Sequence, residues 1–473
     1  MASRYEKENK RLVIFDPVTE EVIDYVKAFN AEEIDEVVKN AKKGFRQWSK
    51  FTQYQRNQVF FKFIDLYMSR VDELSLLLSR EMGKPLAQAR GEFNSITSLT
   101  RGYCEKIRHM YGDVFNSGAE ETKGVKDIVF TRREPLGIVA AFLPFNYPID
   151  LFGQKVIPAI VAGNASIVKP PSDCPLTICK IVDLLHEAGM PEYAIQVVTG
   201  SGSLIGDHLA GHPGIQAVSL TGSNEVGVRI YQNAAPNLTR VFLELGGNDA
   251  FIVREDADID LAVREAMGSR CGNAGQICCA SKRFIVHENI ADAFAQALKA
   301  ELEKVRQGDP RDPSVTMGSL INEQAAITAE AQIDKTVAQG ATCILGGKRF
   351  DRVFFPPTVL TNVSRDMDIA KDMEVFAPVF PIIPFKTDEE ALSITNQSSY
   401  GLMSAIFTAD YKRAFQMAEE IEAGGVVING GGCFRLSEQP FGGYKKSGIG
   451  REGISHTLLE YTQEKTYALK GVL

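Results

Sequence analysis

The chain has 473 residues, 44% of them hydrophobic and 24% charged, and carries a net charge of −8. Single cores stop growing near ~250–300 residues, so one compact core is excluded, and the apolar content is too high for a disordered chain. The acidic balance argues against a nucleic-acid partner, because such binders carry basic surfaces.

The opening MASRYEKENKRLVIFD lacks the apolar stretch of a secretory signal, and no apolar run anywhere is long enough to span a membrane. Eight cysteines form no CxxC pair or zinc ladder, and six histidines show no metal-ligand spacing. A protein of a reducing cytoplasm, without metal, is expected.

In chain order, LVIFD at 12–16 reads as a strand. Ile34, Val37, Val38, Ala41, Phe45 and Trp48, then Val59, Phe60, Phe63, Ile64 and Tyr67, repeat at three- and four-residue intervals, the mark of helices with one buried face. Residues 127–145, DIVFTRREPLGIVAAFLPF, alternate and then turn continuously apolar, as a buried parallel strand does. AIQVVTG (194–200), AVSLTG (217–222) and RVFLELGG (240–247) are strand-like and end in glycine, with helical patterns at Ile178–Ala188 and Val226–Ala234 between them. FIVREDADIDLAVREAM (251–267) and SKRFIVHENIADAFAQALKAEL (281–302) repeat the strand-then-helix texture, and the tail from Thr457 alternates like an edge strand. Such alternation predicts an α/β protein with parallel, doubly wound sheets.

Glycine-rich turns open two helices. TGSGSLIG at 199–206, with Gly200, Gly202 and Gly206, resembles a dinucleotide turn but spaces its third glycine one residue late; a plain strand-to-helix turn explains it as well. TGSNEVG at 221–227 presents Gly222, Ser223 and free amides at a helix start, where a pyrophosphate can sit. In NAGQICCAS, 273–281, the paired cysteines alone read as small buried hydrophobes, but the polar, turn-like lead can expose one as a thiolate. A thiol nucleophile needs a base and an oxyanion site. Glu244, ending an apolar strand, is costly there unless paired or functional. Asn146 in PFNYP, Lys169 in SIVKPPS and Glu374 in MEVFAP occupy similar places; the plainer readings are a turn asparagine, a surface lysine and a salt-bridged acid.

Together these segments resemble the aldehyde dehydrogenase superfamily over nearly the whole chain, in its order and spacing. FDPVTEEVI is similar to its opening strand, PFNYP to its oxyanion asparagine, KPPS to its cofactor lysine and LTGS to its pyrophosphate turn. LELGG is similar to its general-base segment, GQICCA to its nucleophile, EVFAP to its ribose contact and PFGGYKKSG to its late catalytic segment. The resemblance implies Cys278 as nucleophile with Cys279 as packing neighbour, Glu244 as the base that activates water, and Asn146 with the Cys278 N–H as oxyanion hole. It implies Lys169 and Glu374 at the cofactor riboses, Ser223 at the pyrophosphate, Ser172 beside the adenosine ribose and Phe376 near the nicotinamide, with Gly202, Gly222 and Phe145 as further cofactor contacts.

The implied fold is two doubly wound Rossmann-like domains with a small β oligomerisation arm. An NAD(P)-binding domain would comprise 1–115 and 136–246, a catalytic domain 247–450, and the arm 116–135 with 451–473, building a homodimer or homotetramer. Glu244 favours a free acid product, since branches that acylate coenzyme A lack this glutamate. Ile277, where phosphate-handling branches often carry arginine, and Gln154, where semialdehyde branches often do, point to a small aliphatic or hydroxylated aldehyde such as lactaldehyde. Arg435 and Phe434 lie in the segment that commonly lines the substrate mouth; Arg435 could engage an anion or hydroxyl there, or pair with Glu438 on the surface. A semialdehyde or other anionic aldehyde is the alternative substrate. A cofactor-independent thiol hydrolase or acyltransferase and an inactive dinucleotide-binding protein are the rivals of other classes. Ser172 stands where NAD-preferring members carry glutamate, so NADP is expected to be preferred over NAD.

Overall fold

Strands that are buried at every position organise both halves of the molecule, and the computed structural model describes residues 5–6, 10–116, 118, 120–121, 124 and 126–473. Ile138–Phe142, Ala165–Lys169 and Ala217–Thr221 have no exposed residue, as parallel strands covered by helices on both faces require. They lie in a six-stranded sheet ordered 448–449, 240–244, 217–221, 138–142, 165–169, 195–197. Every pairing is parallel except Gly448–Ile449, which runs antiparallel to Arg240–Glu244. The strand order turns back on itself around Ile138–Phe142, and the carboxyl ends beyond such a point are where open sheets bind ligands.

The helix Ala31–Trp48 begins at a reciprocal cap: Glu33 N–H donates to Asn30 Oδ1 at 2.9 Å and Asn30 N–H to Glu33 Oε2 at 3.0 Å. Its apolar stripe of Ile34, Val38 and Ala41 lies on one face of the sheet. Gln53–Ser69, Val71–Met82 and Leu86–Lys106 pack with Pro148–Val161 and Leu176–Ala188 in the largest apolar cluster. Buried Glu81 ends one helix and starts another, accepting the N–H groups of Leu176 at 2.8 Å and Thr177 at 2.9 Å.

The second sheet has seven strands in the order 342–345, 358–361, 379–385, 283–287, 250–253, 403–407, 425–428, with only Thr342–Leu345 antiparallel to its neighbour. Residues 127–145 form two strands: Ile128–Pro135 pairs antiparallel with Thr462–Leu469 and Val114–Phe115, while Ile138–Phe142 enters the six-stranded sheet. Both halves have β character, and only their distant partners divide them.

Near the expected boundary at 450, Gly448–Ile449 adds to the six-stranded sheet, and Ile454 and Leu458 of the helix Ile454–Glu460 join the first apolar cluster. Of the expected arm residues 116–135, numbers 117, 119, 122, 123 and 125 lie outside the described residues. Among the described residues no helix is long and apolar enough to cross a membrane, and no group of His, Cys, Asp and Glu is spaced to hold a metal.

Candidate active site

After the helix Ile259–Cys271, the chain passes through three successive left-handed residues, Asn273, Ala274 and Gly275, at φ 49°, 53° and 77°. A Cβ on Gly275 would lie 2.4 Å from the Ala377 carbonyl carbon, so only glycine fits the last of them. Gln276, fully buried, ties the turn down: its Nε2 donates to Asn273 O at 3.0 Å and its Oε1 accepts Ile321 N–H at 2.9 Å. This scaffold presents Ile277, Cys278 and Cys279 to a cavity of about 420 Å³.

Glu244, Asn146, Gln154 and Arg435 line the same cavity. Glu244 arrives at the carboxyl end of Arg240–Glu244; its carbonyl accepts the Gly222 N–H at 3.1 Å, while among the described residues both buried carboxylate oxygens have no hydrogen-bond partner beyond a contact with the Cys278 thiol. Burial, aided by the charge of Glu452, lifts its carboxyl to about 7. The Cys278 thiol is pushed well up by its contact with the Cys279 thiol, by burial and by Glu244. Asn146 precedes the helix Pro148–Val161. Its Nδ2 donates to Gln276 O at 3.0 Å, and its carbonyl accepts Lys84 Nζ at 2.7 Å and Asn273 Nδ2 at 2.9 Å. Cys279 also lines the cavity, its sulfur 4.0 Å from that of Cys433.

Arg435 does not pair with Glu438. It donates to Glu452 Oε2 at 3.0 Å, while Glu438 accepts the Ser455 hydroxyl at 2.9 Å. The tertiary fold brings Glu452 beneath the cavity wall, and a half-buried guanidinium takes a buried carboxylate over an exposed one. Gln154 accepts the Tyr103 hydroxyl at 3.3 Å. Phe434 is 56% exposed and stands outside the cavity lining.

The second group of expected residues gathers at the strand ends. Lys169 Nζ donates to Ser172 Oγ at 3.2 Å, and Ser172 Oγ donates to Gly200 O at 3.1 Å; burial lowers the Lys169 ammonium to about 8. Gly202 starts the helix Gly202–Gly211, close enough that a Cβ there would sit 3.8 Å from Lys169 Nζ. Ser223 caps Asn224–Ala234 by accepting the Val226 N–H at 3.4 Å. Glu374 lies against the turn after Glu244, where a Cβ on Gly246 would meet its Oε2 at 2.4 Å. Phe376 and Phe145 meet edge to face, 6.0 Å between centroids.

Several buried ions escape the sequence reading. Lys84 pairs with Glu92, Lys155 with Glu452 at 2.7 Å, and Lys282 with Glu374 at 3.2 Å. Lys282 also donates to the Cys278 carbonyl, joining the two groups of residues. Lys155 carries the one available signal, a cation in an otherwise largely apolar helix, which demands a partner.

A model described as the aldehyde dehydrogenase family matches residues 5–467. The mitochondrial succinate-semialdehyde dehydrogenase of Arabidopsis thaliana is 35% identical over 464 residues, 98% of this chain and 87% of that protein. A lactaldehyde dehydrogenase of Methanococcus maripaludis is 34% identical over 466 residues, covering 97% of each. The crystal structure of glyceraldehyde-3-phosphate dehydrogenase from Methanocaldococcus jannaschii, complexed with NADP, superposes with a TM-score of 0.92 at 33% identity, over 97% of this chain and 98% of that one.

Proposed function

The chain belongs to the aldehyde dehydrogenase family, and from that premise we propose that it oxidises a small aliphatic or hydroxylated aldehyde, lactaldehyde-like in size, to the free carboxylic acid with NADP or NAD. The observation that carries the reading is the convergence of Cys278, Glu244 and Asn146 on one cavity. The Cys278 sulfur, its proton given up to solvent, attacks the aldehyde carbon, while Glu244, its carboxyl raised to about 7, stands as the base for the later water. Asn146 Nδ2 turns from Gln276 O to the alkoxide, which the Cys278 N–H also faces; both are donors aimed at developing charge.

Residues at the strand ends suit a dinucleotide. Lys169 is a buried cation whose hydrogen bond goes to a hydroxyl, one helix begins beside it at Gly202, and Ser223 starts another, so phosphate and ribose oxygens meet ready donors. Lys169, Ser172, Ser223 and Glu374 would hold the cofactor, with Phe145 and Phe376 beside its ring. When bound, the nicotinamide supplies the hydride acceptor that side chains lack. Glu244 then takes a proton from water, and the hydroxide cleaves the Cys278 thioester to release the acid. In this reading 1–115 and 136–246 bind cofactor and 247–450 carry the chemistry.

Among the described residues no strand pairs with the outer edge of Thr462–Leu469, which supports a homodimer or homotetramer built through the arm. Among the described residues no histidine lines the cavity, so a Cys–His hydrolase is not favoured. The test is formation of reduced nicotinamide from a panel of neutral and anionic aldehydes with each cofactor. Acid release from a simple ester without cofactor, together with no reduced nicotinamide from any aldehyde, would replace this reading with the hydrolase.

A further inference from the structure

One wall of the cavity has no part in the chemistry just described. Asp150 and Arg435 both line it, and each lies within the other's field. Asp150 sits in the first turn of Pro148–Val161; the Ser95 hydroxyl donates to its Oδ1, and among the described residues nothing bonds to Oδ2. Arg435 is fixed through Nη2 by Glu452 and by the Phe441 ring, 4.2 Å beneath its guanidinium, while among the described residues neither its Nη1 nor its Nε has a hydrogen-bond partner. Glu92, the other acid on this wall, is satisfied by Lys84 and by the Ile149 and Asp150 N–H groups at 2.9 and 3.1 Å.

Resting on the reading of this cavity as an aldehyde site, we propose that Asp150 and Arg435 are specificity residues that recognise a substrate hydroxyl, so that the enzyme takes neutral 2- or 3-hydroxyaldehydes in preference to their deoxy and carboxylated counterparts. A hydroxyl both donates and accepts, and this wall offers an open acceptor in Asp150 and an open donor in Arg435. An alkyl chain would leave both desolvated and unpaired, the costliest kind of mismatch for a buried site. An anion can only accept. The cations Lys84, Lys155 and Arg435 are matched by Glu92, Glu452 and Asp150, which leaves no surplus positive charge to hold it.

The test is kcat/KM for glyceraldehyde, propanal and succinic semialdehyde in the wild type and in Asp150→Asn and Arg435→Met. Wild type should prefer glyceraldehyde to propanal by about 100-fold or more, a fraction of what a dedicated hydroxyl site reaches. Asp150→Asn should cut that ratio at least about tenfold and, by unmasking a positive charge, raise the ratio of succinic semialdehyde to glyceraldehyde by as much. Arg435→Met should cut the first ratio without raising the second, a split that loss of folding alone does not produce. Arg435→Lys, which keeps the charge and loses the Nε donor, serves if either variant folds poorly. Equal wild-type rates on glyceraldehyde and propanal, a wild-type preference for succinic semialdehyde, or unmoved ratios in the variants overturn the proposal. If wild type oxidises none of the three, the aldehyde reading fails. Calorimetric binding of glyceraldehyde against propanal to Cys278→Ala then decides the wall by itself: tighter glyceraldehyde binding upholds it and equal binding removes it.

Discussion

Lys169 donates to the Ser172 hydroxyl at 3.2 Å, and that hydroxyl reaches on to the Gly200 carbonyl at 3.1 Å. The pair places a cation and a reorientable hydroxyl side by side at the end of a buried strand, beside the start of Gly202–Gly211.

Cofactor choice follows from that pair. A 2′-phosphate would meet Lys169 and a hydroxyl donor, with no carboxylate at position 172 to repel it. NADP should therefore give the higher kcat/KM, and Ser172→Glu should shift the preference toward NAD by about tenfold or more, roughly 1.4 kcal/mol. A wild type that prefers NAD by that margin defeats the prediction.

Cys278→Ala should abolish aldehyde oxidation while leaving cofactor affinity, measured by fluorescence titration, nearly intact. Cys279→Ala should retain most activity, although its thiol shares the cavity. The reverse outcome would move the nucleophile one residue along.

Glu244→Gln should give a stoichiometric burst of reduced cofactor followed by little steady-state turnover, because the thioester then lacks a base for its water. In the wild type the working form is the ionised carboxylate, and its group is lifted to about 7. Thioester hydrolysis should thus rise as pH increases through about 7, level off above it, and fall on the acid side. Normal turnover in the variant, or a rate flat across this range, would remove Glu244 from the mechanism.

Glu81→Ala should lower stability to urea by about 2–6 kcal/mol, since it leaves two buried helix-start N–H groups without acceptors at a typical ~1–3 kcal/mol each. A loss under about 0.5 kcal/mol would show that water replaces the carboxylate.

What the sequence determined by itself is whatever is written within a few residues. Continuous apolar runs ending in glycine marked Ala217–Thr221 and Arg240–Glu244, the polar lead marked the turn before Cys278, and the order of the motifs carried the family resemblance. The tertiary structure alone decided which charges meet. Lys155 reaches Glu452 across 297 positions, Arg435 chooses Glu452 over its near neighbour Glu438, and Lys282 links Glu374 to the Cys278 carbonyl. It also decided the register in which Ile128–Pro135 meets Thr462–Leu469. Backbone preference and burial period are local properties of the chain, whereas a buried ion's partner and a strand's neighbour depend on which surfaces pack together, and no spacing in the sequence encodes that meeting.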